Sequence, residues 1–150
     1  MIRAKIRELA LRGEPYRFRL LTESSPEAIL FEAVGRVLYA NPKTAALLGK
    51  RREDLIGREF INFIPPEYRE EVSQRIRQQS ATGPSAAPME LEWVRGDGSR
   101  VSVEFTAIAT RYADADAHFV FVHDVTERKR AETLSEQLRV SFENGAVAPQ

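Results

Sequence analysis

Apolar residues first recur at helical spacing and later at strand spacing. Ile2, Ile6 and Leu9 fall at i, i+4 and i+7 between charges. That is one buried helical stripe, so residues 1–12 are expected to form an amphipathic helix stopped by Gly13 and Pro15. A second short helix follows, with Phe18 and Leu21 on one side. Ser24-Ser25-Pro26-Glu27 supplies cap residues, a proline suited to a first helical position and a capping-box glutamate. Residues 29–33 and 36–40 then read as strands joined at Val34-Gly35, a tight hairpin.

Asn41-Pro42 predicts a helix start: a side-chain cap, then a residue whose φ is already fixed. That helix covers 42–48 and ends at Gly49. Residues 53–56 make another helical turn, ended by Gly57, and Phe60, Phe63 and Ile64 share one side of a third. Residues 67–79 form the longest internal helix, with Tyr68, Val72 and Ile76 as its apolar stripe, and 80–88 read as a flexible loop. Strand alternation then returns. Met89, Leu91 and Trp93 share a face, Gly96-Asp97-Gly98 makes a hairpin turn, and Val101, Val103, Phe105 and Ala107 point inward. A polar loop over 113–117 leads to the unbroken apolar run Phe119-Val120-Phe121-Val122. This run is too short for a helix and reads as a central strand covered on both faces. It passes at once into a charged helical segment, which Asp124 or Thr126 is placed to cap; Asp124 and Glu127 have capping-box spacing.

Composition narrows the function classes. The chain has 150 residues, enough for one domain with a real core, and 43% of them are hydrophobic. Lys+Arg and Asp+Glu balance at 22 each, which removes the electrostatic case for general nucleic-acid or anionic-membrane binding. No apolar stretch approaches the ~20 residues that span a bilayer, so no membrane insertion is expected. The default location is cytoplasmic, including the cytoplasmic part of a larger sensor. The absence of cysteine excludes disulfides, thiolate metal sites and cysteine nucleophiles. Glu90, Glu92 and Glu104 are outward strand carboxylates without a nucleophile or metal-binding histidines, so the chain is not expected to be an enzyme.

In order along the chain stand Ser25-Pro26-Glu27-Ala28-Ile29, Val37-Leu38-Tyr39-Ala40-Asn41-Pro42, Gly49, Glu53-Asp54-Leu55-Ile56-Gly57, Arg95-Gly96-Asp97-Gly98-Ser99 and Asp124-Val125-Thr126-Glu127-Arg128-Lys129. Together these ordered motifs resemble the PAS sensory domain. The resemblance implies an α+β fold: a five-stranded antiparallel sheet of order 2-1-5-4-3, with short helices over one face enclosing a ligand pocket. It divides the chain into an N-terminal helical extension at 1–15, the PAS domain at 16–126, a signalling helix at 127–142 and a disordered tail at 143–150.

Alternation combined with the family's strand directions gives a candidate pocket. Ile29, Phe31, Leu91, Trp93, Val103, Phe105, Val120 and Val122 would face the helices. Ala45, Leu48, Leu55, Phe60, Phe63, Ile64 and Ile76 would close the cavity. Dense core packing explains the same residues without any ligand, and a ligand there would be small and apolar. The family's cofactors can be checked residue by residue. Flavin-cysteinyl photochemistry and the coumaroyl chromophore both need a cysteine and are excluded. Haem sensing needs a histidine on the long helix, which has none. The cofactor is therefore none or unknown. The inward face also lacks the basic cluster that extracellular citrate-type members use for carboxylates.

His118 and His123 lie on opposite faces of the last strand and cannot jointly hold a metal. The plain reading makes them surface or rim residues. The resemblance assigns signal coupling to His123, Asp124 and Thr126, beside the exit helix. Phe119 and Phe121 face away from the pocket side and need cover. The helix bearing Ile2, Ile6 and Leu9, or a second subunit, would supply it, and these residues form the expected dimer or docking face. Ala131, Leu134 and Leu138 have coiled-coil-like spacing over too few heptads to establish one. The expected function is a sensory and dimerisation module, acting as a homodimer on a linked or partner output domain, as in a sensor histidine kinase. The alternatives are a ligand-free interaction module or the regulatory domain of a transcription regulator or cyclic-di-GMP enzyme.

Overall fold

In a computed structural model, residues 15–78 and 88–144 are described. The expectations for Ile2, Ile6 and Leu9, for residues 80–87 of the expected loop and for residues 145–150 lie outside them. Helix α1 (Pro15–Glu23) precedes strands β1 (Ala28–Ala33) and β2 (Arg36–Ala40). Helices α2 (Pro42–Leu48) and α3 (Arg52–Leu55), a 3-10 turn (Phe60–Phe63) and helix α4 (Pro66–Gln78) follow. Strands β3 (Met89–Val94), β4 (Arg100–Tyr112) and β5 (Ala115–Asp124) complete the sheet before helix α5 (Thr126–Glu143). The sheet is antiparallel with order β2-β1-β5-β4-β3, so the last strand in sequence is central.

No helix begins at Pro26, contrary to the cap signals there. The Ser25 hydroxyl accepts from the Glu27 N–H at 3.1 Å, closing a local turn, and Ala28 is already in β1. Serine beside a strand-forming run makes such a turn instead of a cap. Strand β4 is longer than its alternating core suggested. The loop after it shrinks to Ala113-Asp114, both left-handed at φ 50° and 63°, the backbone that matches a tight hairpin to strand twist.

Two hydrophobic layers flank the sheet. The helix-covered face holds Ala28, Leu30, Leu91, Trp93, Val103, Phe105, Val120 and Val122, with Leu48, Leu55, Phe60, Phe63, Ile64 and Val72 packed on them. The opposite face holds Ile29, Phe31, Ala33, Ala117, Phe119 and Phe121, with Leu21 of α1 against them. This corrects the expected direction of Ile29 and Phe31. They pair in register with Phe121 and Phe119, and directly opposed residues share a face. All six residues of β1 are buried, so its pattern does not say which set faces which layer. A shift of one residue exchanges the two sets.

Phe119 and Phe121 are each 1% exposed within the single chain. They are already covered without a second subunit, and do not form an open docking face.

Asn41 holds the helical side of the domain to the sheet. Its Oδ1 accepts from the Ile29 N–H, the Thr44 N–H and the Thr44 hydroxyl, while Nδ2 donates to the Thr22 and Glu27 carbonyls. The expected cap of α2 is therefore also a buried link between α1, β1 and α2. At the other end of α2, Gly49 closes the helix in the left-handed conformation with φ 61°.

Candidate functional site

The hairpin end of the sheet carries the polar chemistry. Glu32 on β1 and His118 on β5 are cross-strand partners on the helix-covered face, 4% and 6% exposed. Glu32 Oε1 and His118 Nδ1 share a hydrogen bond, and Glu32 Oε2 accepts from the Gly35 N–H at 2.9 Å. Both carboxylate oxygens are thus engaged, as burial of a carboxyl group requires. The imidazole Nε2 has no hydrogen-bond partner among the described residues.

A cavity of ≈ 500 Å³ opens beside this pair, within the range of small-molecule sites. Its sheet wall includes Glu32, His118 and Asp116. The β1–β2 turn adds Val34 and Gly35, the 3-10 turn adds Phe60 and Ile61, and α4 adds Ser73, Ile76 and Arg77. Spacing of i, i+3 and i+4 places these three α4 residues on one helix face. Backbone bonds fix the turn beside the hairpin: Phe60 N–H to the Gly35 carbonyl at 2.8 Å, and Gly57 N–H to the Val37 carbonyl at 2.7 Å.

Charge in the wall is mostly neutralised locally. Glu59 lies 3.9 Å from Arg36, and Asp116 accepts from Arg111 at 2.8 Å. The Arg77 guanidinium has no carboxylate partner among the described residues.

Only Phe60 and Ile76 of the expected pocket residues line this cavity. Leu48, Leu55, Phe63, Ile64, Leu91, Trp93, Val103, Phe105, Val120 and Val122 are packed core, with Ala45 partly buried against them. Trp93 and Phe60 meet edge to face at 5.7 Å between ring centres. The sequence reasoning missed Glu32, His118, Ser73 and Arg77. One signal was available: Glu32 interrupts the apolar run Ala28-Ile29-Leu30-Phe31 inside a strand, so it needs a buried partner.

The junction with α5 holds the expected coupling residues. His123 is exposed. Asp124 Oδ1 accepts from the Thr126 N–H at 2.9 Å, while Val125 occupies the cap position itself. Burial pushes the Asp124 carboxyl up, but its hydrogen bonds from Thr126 outweigh this and hold it below the ordinary aspartate value. The first turn of α5 is also tied to the sheet. Arg128 bonds to Glu90 and reaches Glu104 at 3.4 Å, and the Lys129 ammonium donates to Glu90 at 2.9 Å. Two of the outward strand carboxylates, Glu90 and Glu104, thus meet the basic first turn of α5. The remainder of α5 buries nothing, and Leu134, Leu138, Val140 and Phe142 are exposed.

Comparison with known proteins places this arrangement among relatives. The family model described as the PAS fold matches residues 16–125. Sporulation kinase A of Bacillus subtilis is 28% identical over 127 residues, covering 84% of this chain and 21% of the kinase. The sensor histidine kinase TmoS of Ectopseudomonas mendocina is 24% identical over 134 residues, 87% of this chain and 14% of that protein. The chain therefore spans about a fifth or less of these relatives' lengths. A solved PAS domain of an HTR-like protein from Haloarcula marismortui is 26% identical with a TM-score of 0.63, covering 80% of this chain and 98% of that one. Among the described residues no helix is long and apolar enough to cross a membrane.

Proposed function

Because the chain belongs to the PAS family, we propose that it is a sensory module whose packing state is passed through α5 to an output domain, as in sensor histidine kinases. The observation that carries this reading is the continuity of β5 with α5. One strand brings His118 to the cavity wall and runs, through the Asp124 bond to Thr126, into a helix that touches the sheet mainly through its first turn. A change in packing around β5 shifts the balance between helix orientations if a ligand or partner favours one of them. Catalysis belongs to no residue described above. The module acts in the cytoplasm on a linked or partner domain.

The test replaces the matched segment of Sporulation kinase A with this chain and measures autophosphorylation. Glu90→Gln, which weakens the tie to Arg128 and Lys129, changes the rate relative to the parent chimaera. Equal rates in the two would remove the coupling role of that junction.

The apolar side chains exposed on α5 favour a second element of this reading, a homodimer formed through that helix. Leu134 and Leu138, at i and i+4, are 58% and 56% exposed. Leu134→Glu combined with Leu138→Glu lowers the mass seen in sedimentation. An unchanged mass would place self-association elsewhere or exclude it.

A further inference from the structure

The geometry points to a ligand class for the cavity: a small organic monocarboxylate, its charge facing Arg77 and its hydrocarbon body against Phe60, Ile61 and Ile76. This rests on reading the chain as a sensory module, and it names what the module would sense.

The argument is one of remaining hydrogen-bonding capacity. The carboxylates that line the cavity already have partners. Glu32 is bonded to His118 and to the Gly35 N–H, Glu59 lies beside Arg36, and Asp116 accepts from Arg111. Among the lining residues, the Arg77 guanidinium, the Ser73 and Thr110 hydroxyls and His118 Nε2 have no protein partner among the described residues. Three of these four can donate whatever the protonation state of the ring, and a guanidinium has no acceptor at all. A ligand that completes them must therefore present acceptor oxygens. Arg77 is the charged one, and its planar fork suits a carboxylate.

The rest of the lining limits the ligand's shape. Val34, Phe60, Ile61 and Ile76 are apolar and lie beside the polar groups. A bare inorganic anion would leave them without contact, whereas a short hydrocarbon chain covers them. A second negative charge would meet Glu32, Glu59 and Asp116, which line the same cavity. One charge and an apolar body satisfy both walls. The site is distinct from the centre of the helix-covered core, where Trp93 and Phe60 are in contact.

The probes are hexanoate and its neutral isostere hexanamide, titrated calorimetrically into the full chain. Hexanoate is expected to bind and hexanamide to bind roughly tenfold or more weakly, the scale of a charge-assisted hydrogen bond. Arg77→Ala, an exposed change that leaves the core untouched, is expected to remove that preference. Equal binding of acid and amide would overturn the anionic assignment, and no binding of either would overturn the site. His118→Gln tests the inner end, with thermal melting to show that it folds; a folded variant with unchanged hexanoate affinity would remove His118 from the site.

The two readings fail separately. A chimaera that responds to Glu90→Gln while the chain ignores hexanoate leaves the sensory role and removes this ligand. Hexanoate binding with no change in the chimaera does the reverse.

Discussion

Glu32 and His118 stand directly opposite each other on β1 and β5, 86 residues apart in sequence, and hydrogen-bond across the sheet on its helix-covered face. The pair fixes the register of β1 against the central strand at the cavity wall. Its energetic worth is accessible to a double-mutant cycle. Truncating Glu32 alone to alanine leaves a buried imidazole and the Gly35 N–H without their acceptor. This is expected to lower unfolding stability by roughly 3 kcal/mol. In Glu32→Ala/His118→Ala the two losses are expected to fall short of additivity by about 1–3 kcal/mol. Strict additivity in urea melts would mean that the two side chains do not interact.

Asn41 offers a second stability test. Its side chain serves Ile29, Thr44, Thr22 and Glu27 from a fully buried position. Asn41→Ala loses a helix cap, typically worth ~1 kcal/mol, and strands buried backbone groups at about 1–3 kcal/mol for each one left unmade. A loss of about 3 kcal/mol or more is expected in denaturant unfolding. A loss near 1 kcal/mol would show that only the cap matters.

Val34 should be improvable. It sits at φ 53° before Gly35 in the β1–β2 turn and is 78% exposed. A β-branched residue is poorly suited to that region, whereas asparagine followed by glycine is the favoured pair for such a turn. Val34→Asn is expected to raise stability by about 1 kcal/mol. The urea midpoint rises at an unchanged denaturant slope; a fall would mean that the side chain makes a contact that outweighs the strain.

Tyr39 predicts an alkaline limb in the stability profile. Its hydroxyl donates to Glu23 at 2.6 Å, and Arg52 donates to the other Glu23 oxygen at 2.8 Å. Burial first, and then the Glu23 carboxylate, push the phenol up to about 12. Below the usual value of 10 the group is protonated in folded and unfolded chains alike, and its contribution is fully present. Between about 10 and about 12 the unfolded chain releases the proton and the folded chain keeps it, so stability falls as pH rises. Tyr39→Phe is expected to flatten this part of the fall in melts across that window; an identical slope would show that the phenol does not contribute.

Local signals sufficed wherever structure depends on nearby residues. Asn41-Pro42 started α2, Gly49 ended it, and the alternation of Met89, Leu91 and Trp93 set the inward face of β3. The unbroken run from Phe119 to Val122 marked the central strand because a strand flanked on both sides must be apolar on both faces. With the ordered motifs, these features were enough for the fold class and strand order.

Where a segment's pattern is symmetric, or its partner is distant in sequence, tertiary structure decided. β1 is buried on both faces, so only its register with β5 could send Ile29 and Phe31 to the far layer. Glu90 read only as an outward strand carboxylate until the path of α5 brought Lys129 to it. His118 looked like a rim residue for the same reason: nothing near it in sequence announces Glu32. Side-chain alternation and capping are local, whereas the burial of a charge depends on what the far end of the chain brings to it. The chain's own order of residues thus determined a PAS sheet with a helix leaving its central strand, and three-dimensional packing placed its polar cavity at the hairpin end, away from the apolar centre.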